Sequence, residues 1–190
     1  PGIYFGGDEG FEKFWRRKNI TLQDARNLRE RATLARHMGF EDYFWAGEVV
    51  SRYAKTPPNV NLIGGTPGSF PAKNYTVEEG RPLSESDVEG ARDVCVLGHG
   101  LAKSLFPYGS ALGERVKFSG INYTVIGVLE TKGASMGNQE NFAIIPITTG
   151  LNRFGKWQRS LNILVQARDA ASYDDATEEV RGILRVARKV

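Results

Sequence analysis

The stretch "VLGHGLAKSLF", Val96 to Phe106, has the outline of a phosphate-binding loop: an apolar strand, two glycines, then Lys103-Ser104 opening a helix. A Walker-type loop needs glycine at its first and sixth positions before Lys-Ser, because its backbone amides must curl around phosphate oxygens. Aligned on Lys103-Ser104, those positions are Leu97 and Ala102. The dinucleotide-binding pattern fails as well, since Lys103 stands where its third glycine is required. The expectation is therefore a tight strand-to-helix turn at Gly98 and Gly100, with Lys103 exposed on the helix. Carboxylates gather nearby as Glu78-Glu79, Glu85, Asp87 and Glu89. A pair of them at suitable separation would permit glycoside hydrolysis, whereas an acidic loop without a partner base reads as solvated surface. Neither His37 nor His99 sits beside an elbow serine, and "GGTPGSF" lacks the G-x-S-x-G spacing. Cys95, the only cysteine, lies inside "VCVL" and reads as a small apolar core residue. With two histidines and one cysteine, no metal-ligand spacing is present, and no cofactor is expected.

Aromatics near cations raise a different chemistry. Phe11, Phe14 and Trp15 fall on one helical face beside Arg16, Arg17 and Lys18, as at a membrane interface or partner surface. Phe44 and Trp45 read as packing residues. A net charge of +3, from 25 Lys plus Arg against 22 Asp plus Glu, is low for nucleic-acid binding, and no such signature accompanies the aromatics. The one local basic run, "RGILRVARKV", suits either phospholipid headgroups or the C-terminal end of a helix dipole.

These residues need elements to hold them. A 190-residue chain can bury roughly 70% of its unfolded surface, enough for one domain or two small subdomains. No apolar run reaches the roughly 18 residues of a membrane span. The chain opens on Pro1 and reads as a piece of a larger protein. "GIYFGG" is a short strand. Thr21 and Asp24 frame a capping-box-like helix start, and Leu22, Ala25, Leu28, Ala32, Ala35 and Met38 recur at helical spacing up to Gly39. "DYFWAGEVVSRYA" reads as a strand ended by Pro57-Pro58. The middle segment follows. "NLIGGTPGSFPAKNY" should hold a short strand and turns, and "VEEGRPLSESDVEGARD" a polar loop with a turn of helix after Ser84 or Ser86. "VCVL" is a buried strand, "GLAKSLF" a two-turn helix, and "ERVKFSGINYTVIGVLE" a hairpin about Ser119 to Asn122. "FAIIPI" and "SLNILVQARD" are strands. A last helix starts near Ser172, with Tyr173, Ala176, Val180, Ile183, Leu184 and Ala187 on one face. The expectation is an α+β fold in two parts: residues 1–56 with 158–190 as one subdomain, and 57–157 as a β-rich inserted lobe.

From Tyr75 onward the ordered motifs are similar to one family. Gly80-Arg81, the acidic Ser84 to Asp87 segment, Val94 to Gly98, Leu105-Phe106, the Gly113 to Val128 hairpin and Ile144 to Pro146 resemble the periplasmic core domain of MacB-type ABC transporter permeases. The resemblance implies a split porter-like α/β subdomain enclosing a β-rich lobe, and a non-enzymatic domain outside the cytoplasmic membrane. It implies neighbours too: membrane helices of the same permease, a cytoplasmic ATPase, a periplasmic adaptor or other envelope protein, and a second copy in the intact transporter. "TKGASMGNQEN" reads either as a plain solvated hairpin loop or as a mobile or partner-facing segment, in which case Lys132, Met136 and Gln139 are the contact residues. Two rival readings are a stand-alone envelope ligand-binding module and a hydrolase using the carboxylates of "EEGRPLSESD".

Overall fold

The computed structural model describes residues 2–5, 11–13, 21–131, 141–155, 161–169 and 171–187. The chain divides into two compact units: residues 1–42, 68–74 and 156–190 form the first, and residues 43–67 and 75–155 the second. The sequence boundaries drawn at 56/57 and 157/158 differ from this division in three places, the last being a second boundary at 155/156. Residues 43–56 group with the second unit, and the short segment 68–74 returns to the first.

The first unit has the order β2-β1-β11-β3. β1 (Gly2–Phe5) runs parallel to β11 (Asn162–Ala167), and β2 (Phe11–Lys13) pairs antiparallel with β1. The helical face read through Phe11 is thereby corrected: Phe11 to Lys13 are committed to backbone pairing with β1, and Phe14 to Lys18 lie outside the described residues.

α1 (Leu22–Arg31) begins as its sequence predicts, with Thr21 and Asp24 exchanging both capping-box hydrogen bonds. It ends far sooner than Gly39. Ala32 closes it, and residues 35–47 form β3 (Ala35–Gly47), whose first part pairs with β11 from Ala35↔Ala167 to Glu41↔Asn162. The cause is distant in sequence. The amides of Thr33 and Leu34, which helix continuation needs, donate instead to the Glu179 carboxylate. Glu179 belongs to α6 (Tyr173–Ala187), which packs against α1 and buries Ala176, Val180 and Leu184. A close approach completes this unit. A Cβ on Gly68 would collide with the Met38 carbonyl, and one on Gly39 with the Ser69 backbone, so only glycine allows β3 and the start of α2 (Ser69–Ala72) to touch.

The second unit carries the order β5-β10-β7-β9-β8-β4, with β6 (Val77–Gly80) also paired to β9. β5 (Val60–Gly65) and β10 (Phe142–Pro146) are parallel, as are β7 (Val94–Leu97) and β9 (Ile121–Leu129). β8 (Arg115–Phe118) turns into β9 through Ser119 and Gly120, whose φ values of 48° and 81° are those of the two-residue type I′ hairpin. β4 (Val49–Val50) pairs antiparallel with β8. Apolar alternation along β8 and β9 buries Phe118, Tyr123 and Val125, whereas β10 is apolar on both faces and buries the consecutive Ile144 and Ile145. α5 (Ile147–Phe154), of which only Ile147 falls in an element expected from the sequence, the strand "FAIIPI", packs against β5 and β10. Phe44 is buried and stacks on Phe154 at 5.3 Å, as a packing residue should. Trp45, expected to pack beside it, points the other way along the strand and is 71% exposed.

Candidate functional site

The loop that resembled a phosphate cradle is a plain strand-to-helix turn. Gly98 has extended φ and ψ of −61° and 152°, and its amide donates to the Phe142 carbonyl at 2.9 Å. α4 (His99–Leu105) starts at once, buries Leu101, Ala102 and Leu105, and leaves Lys103 exposed. The Ser104 hydroxyl donates back to the Gly100 carbonyl at 3.0 Å. Cys95 is fully buried, and burial pushes its thiol far above the ordinary range, so it has no thiolate chemistry.

Asp87, the acid of the "SESD" segment, is a structural hub. It stands at the third position of α3 (Glu85–Glu89), where it closes a capping box with Ser84. Its carboxylate receives Arg81 Nη1 at 2.7 Å and Nη2 at 3.2 Å, the Ser84 amide at 2.8 Å and Arg92 Nη1 at 3.4 Å. Burial alone would raise its pKa, but the hydrogen bonds from Arg81 and Ser84 outweigh it and hold the carboxyl at about 2. A group so held cannot serve as a general acid near neutrality. Glu85 and Glu89 point to solvent. Asp87 therefore gives the carboxylate-hydrolase reading no support.

What the second unit does offer is a groove of about 380 Å³. One wall is β6 (Val77–Gly80), a strand where the polar sequence predicts loop. Val77 pairs with Leu129 and Glu79 with Val128, so one residue is extra between them. That β-bulge lets the consecutive Glu78 and Glu79 both line the groove instead of alternating. The other wall is α4 with His99 and Lys103, and the loop from Pro107 to Ala111 closes one end. Buried Ala102, Phe106 and Val128 supply apolar lining. His99 Nδ1 lies 3.3 Å from Glu78 Oε2, and the Ser110 hydroxyl donates to Glu79 Oε2 at 2.7 Å. Sequence reasoning missed this gathering of Glu78, His99, Tyr108 and Ser110, since no spacing announces a bulge. Lys132, Met136 and Gln139, the expected contact residues, lie outside the described residues. Among the described residues, no helix is long and apolar enough to cross a membrane, and no group of three or more His, Cys, Asp or Glu is arranged for a metal ion.

The model of the MacB-like periplasmic core domain matches residues 2–183, nearly the whole chain and well beyond the Tyr75 to Pro146 region whose motifs carried the resemblance. The chain belongs to that family. Among relatives of this MacB-like domain, the pyoverdine export ATP-binding/permease protein PvdT of Pseudomonas savastanoi pv. phaseolicola is 31% identical over 143 residues, covering 73% of this chain and 22% of the relative. The macrolide export ATP-binding/permease protein MacB of Marinobacter nauticus is 36% identical over 116 residues, covering 60% of this chain and 18% of the relative. The chain thus spans about a fifth of the length of the curated relatives it matches. The fold is shared with the periplasmic region of MacB from Actinobacillus actinomycetemcomitans at a TM-score of 0.75 and 23% identity, over 90% of this chain and 76% of that one. It is shared too with the extracellular domain of the ABC-type transporter YknZ from Gram-positive bacteria, at a TM-score of 0.72 and 20% identity, over 99% and 94%. The mixed α+β, two-part fold expected for a MacB-like domain of an ABC transporter permease is the one observed.

Proposed function

We propose that this MacB-like domain works outside the cytoplasmic membrane as a non-enzymatic lobe of a permease, transmitting movement driven by a cytoplasmic ATPase. In this reading, membrane helices of the same permease hold it, two copies act together, and an adaptor or other envelope protein meets it on the outer side. The observation that carries the reading is the family match over residues 2–183, in a chain that corresponds to only a fifth of relatives named as ATP-binding/permease proteins. Lys132, Met136 and Gln139, between β9 and β10, are proposed contact residues for that outer partner. Neither a cofactor nor nucleic acid has a part in it.

The test is protease accessibility of the natural full-length protein in intact cells, with permeabilised cells as control. Cleavage within this domain from outside, while the protein stays in the membrane fraction, is the expected result. Protection in intact cells, or recovery of the natural protein in the soluble fraction, would overturn the reading.

A further inference from the structure

Large apolar side chains left in water gather around the groove of the second unit. Tyr108, on its rim, is 96% exposed. Tyr53, also exposed, meets the groove residue Phe106 edge-on, with ring centroids 6.1 Å apart. Leu112 is exposed beside the end of β6, within contact of where a Cβ on Gly80 would stand. Arg52 lies over the Tyr53 ring at 4.6 Å. Single exposed apolar residues need no explanation, but two exposed tyrosines around one groove, one of them under an arginine, have the composition of a protein contact surface.

The charges inside the groove select the occupant. Glu78 Oε2 lies 3.3 Å from His99 Nδ1 without a hydrogen bond between them, and Glu79 accepts from the Ser110 hydroxyl through Oε2. The second oxygen of each carboxylate has no partner among the described residues. The bulge leaves both glutamates lining one wall of the groove, next to apolar lining and an exposed tyrosine ring. A guanidinium matches this arrangement better than an ammonium: its planar fork offers donors in parallel to two carboxylates, and its flat face stacks on an aromatic ring.

We propose that the groove docks a segment of a partner protein through an arginine, with the guanidinium between Glu78 and Glu79 and the aliphatic stem along Phe106 and Tyr108. A segment fits better than a free cation because Tyr53 and Leu112 extend the apolar surface past the groove itself. This rests on the reading of the domain as the partner-contacting part of a permease, and names the chemistry of that partner.

The amide resonances of the ¹⁵N-labelled chain are titrated with acetyl-Leu-Arg-Leu-amide, with the same peptide carrying citrulline for arginine, and with ethylguanidinium. The arginine peptide should shift the amides of residues 78–80, 99–103 and 108–112. Citrulline should bind roughly tenfold more weakly, since a charge-assisted pair is lost. The double variant Glu78→Gln/Glu79→Gln should lose a similar factor, and Lys103→Ala should bind the arginine peptide at least as well as the parent chain. Glu78→Gln alone, at a half-exposed side chain, provides the same comparison if the double variant fails to fold. Absence of localised shifts, equal binding of the citrulline peptide, or ethylguanidinium binding as tightly as the arginine peptide would each overturn the proposal. None of these outcomes touches the accessibility experiment, so the two readings fail separately.

Discussion

Asp87 gives the sharpest test of how the second unit is held together. Its side chain is fully buried, while its partners Arg81 and Arg92 are 46% and 56% exposed. Asp87→Ala would leave the Ser84 amide without its acceptor, but would free both arginines to turn into water. The expected loss therefore sits at the low end for a broken buried pair, about 3 kcal/mol. Asp87→Asn keeps one oxygen for Ser84 and loses the charge, at a cost of about 2 kcal/mol. The pKa gives an independent figure. A carboxyl held at about 2 instead of 3.8 contributes about 2 kcal/mol, at roughly 1.4 kcal/mol per unit and discounted for the solvent that reaches Arg81. The sign follows from linkage. With its folded pKa below its unfolded one, Asp87 contributes this stability in full above about pH 4 and loses it as pH falls through about 2. Unfolding by urea and by heat, followed by far-ultraviolet circular dichroism, reads both effects. At pH 7 Asp87→Asn should melt lower by roughly 4–8 °C, at about 2–4 °C per kcal/mol for a chain of this size. Between pH 4 and pH 2 the gap from the parent should narrow. A variant within about 0.5 kcal/mol of the parent at pH 7, the range of ordinary surface changes, would refute the hub. So would a gap that does not change with pH, because it would show that charge is not the cause.

Three further outcomes follow from local geometry. Ala91 ends the turn after α3 with φ of 45°, a left-handed conformation that costs a non-glycine residue about 1 kcal/mol, so Ala91→Gly should raise the melting temperature by roughly 2–4 °C. Gly68→Ala drives a methyl group into the Met38 carbonyl and should cost about 3 kcal/mol, read as a lower urea midpoint; an unchanged midpoint would mean that β3 and α2 do not meet as described. The Tyr123 hydroxyl is buried with no hydrogen-bond partner among the described residues, and burial pushes its pKa up to about 12. Tyr123→Phe should therefore leave stability within about 0.5 kcal/mol of the parent, and a larger loss would reveal a partner for that hydroxyl.

The elements that sequence showed clearly are those whose signal is complete within a few residues. Thr21 with Asp24, and Ser84 with Asp87, make their capping boxes from neighbours, and Ser119-Gly120 sets its hairpin turn from two residues. The errors arose where a distant partner decided the outcome. α1 stops because Glu179, some 145 residues away, takes the amides of Thr33 and Leu34; nothing between Leu22 and Met38 encodes that competition. β2 and β6 are short, and β6 is polar, so their strand character comes from pairing with β1 and β9 and not from an apolar alternation. The groove was hidden for the same reason. Its glutamates stand out in the sequence as "EEG", but strand alternation predicts that one faces in and the other out. Only the extra residue opposite Leu129 and Val128 turns both the same way, and that residue is extra only relative to β9. A bulge is a property of a pair of strands. Surface chemistry that depends on one is legible only once the pairing is known, even where local signals give the rest of the fold.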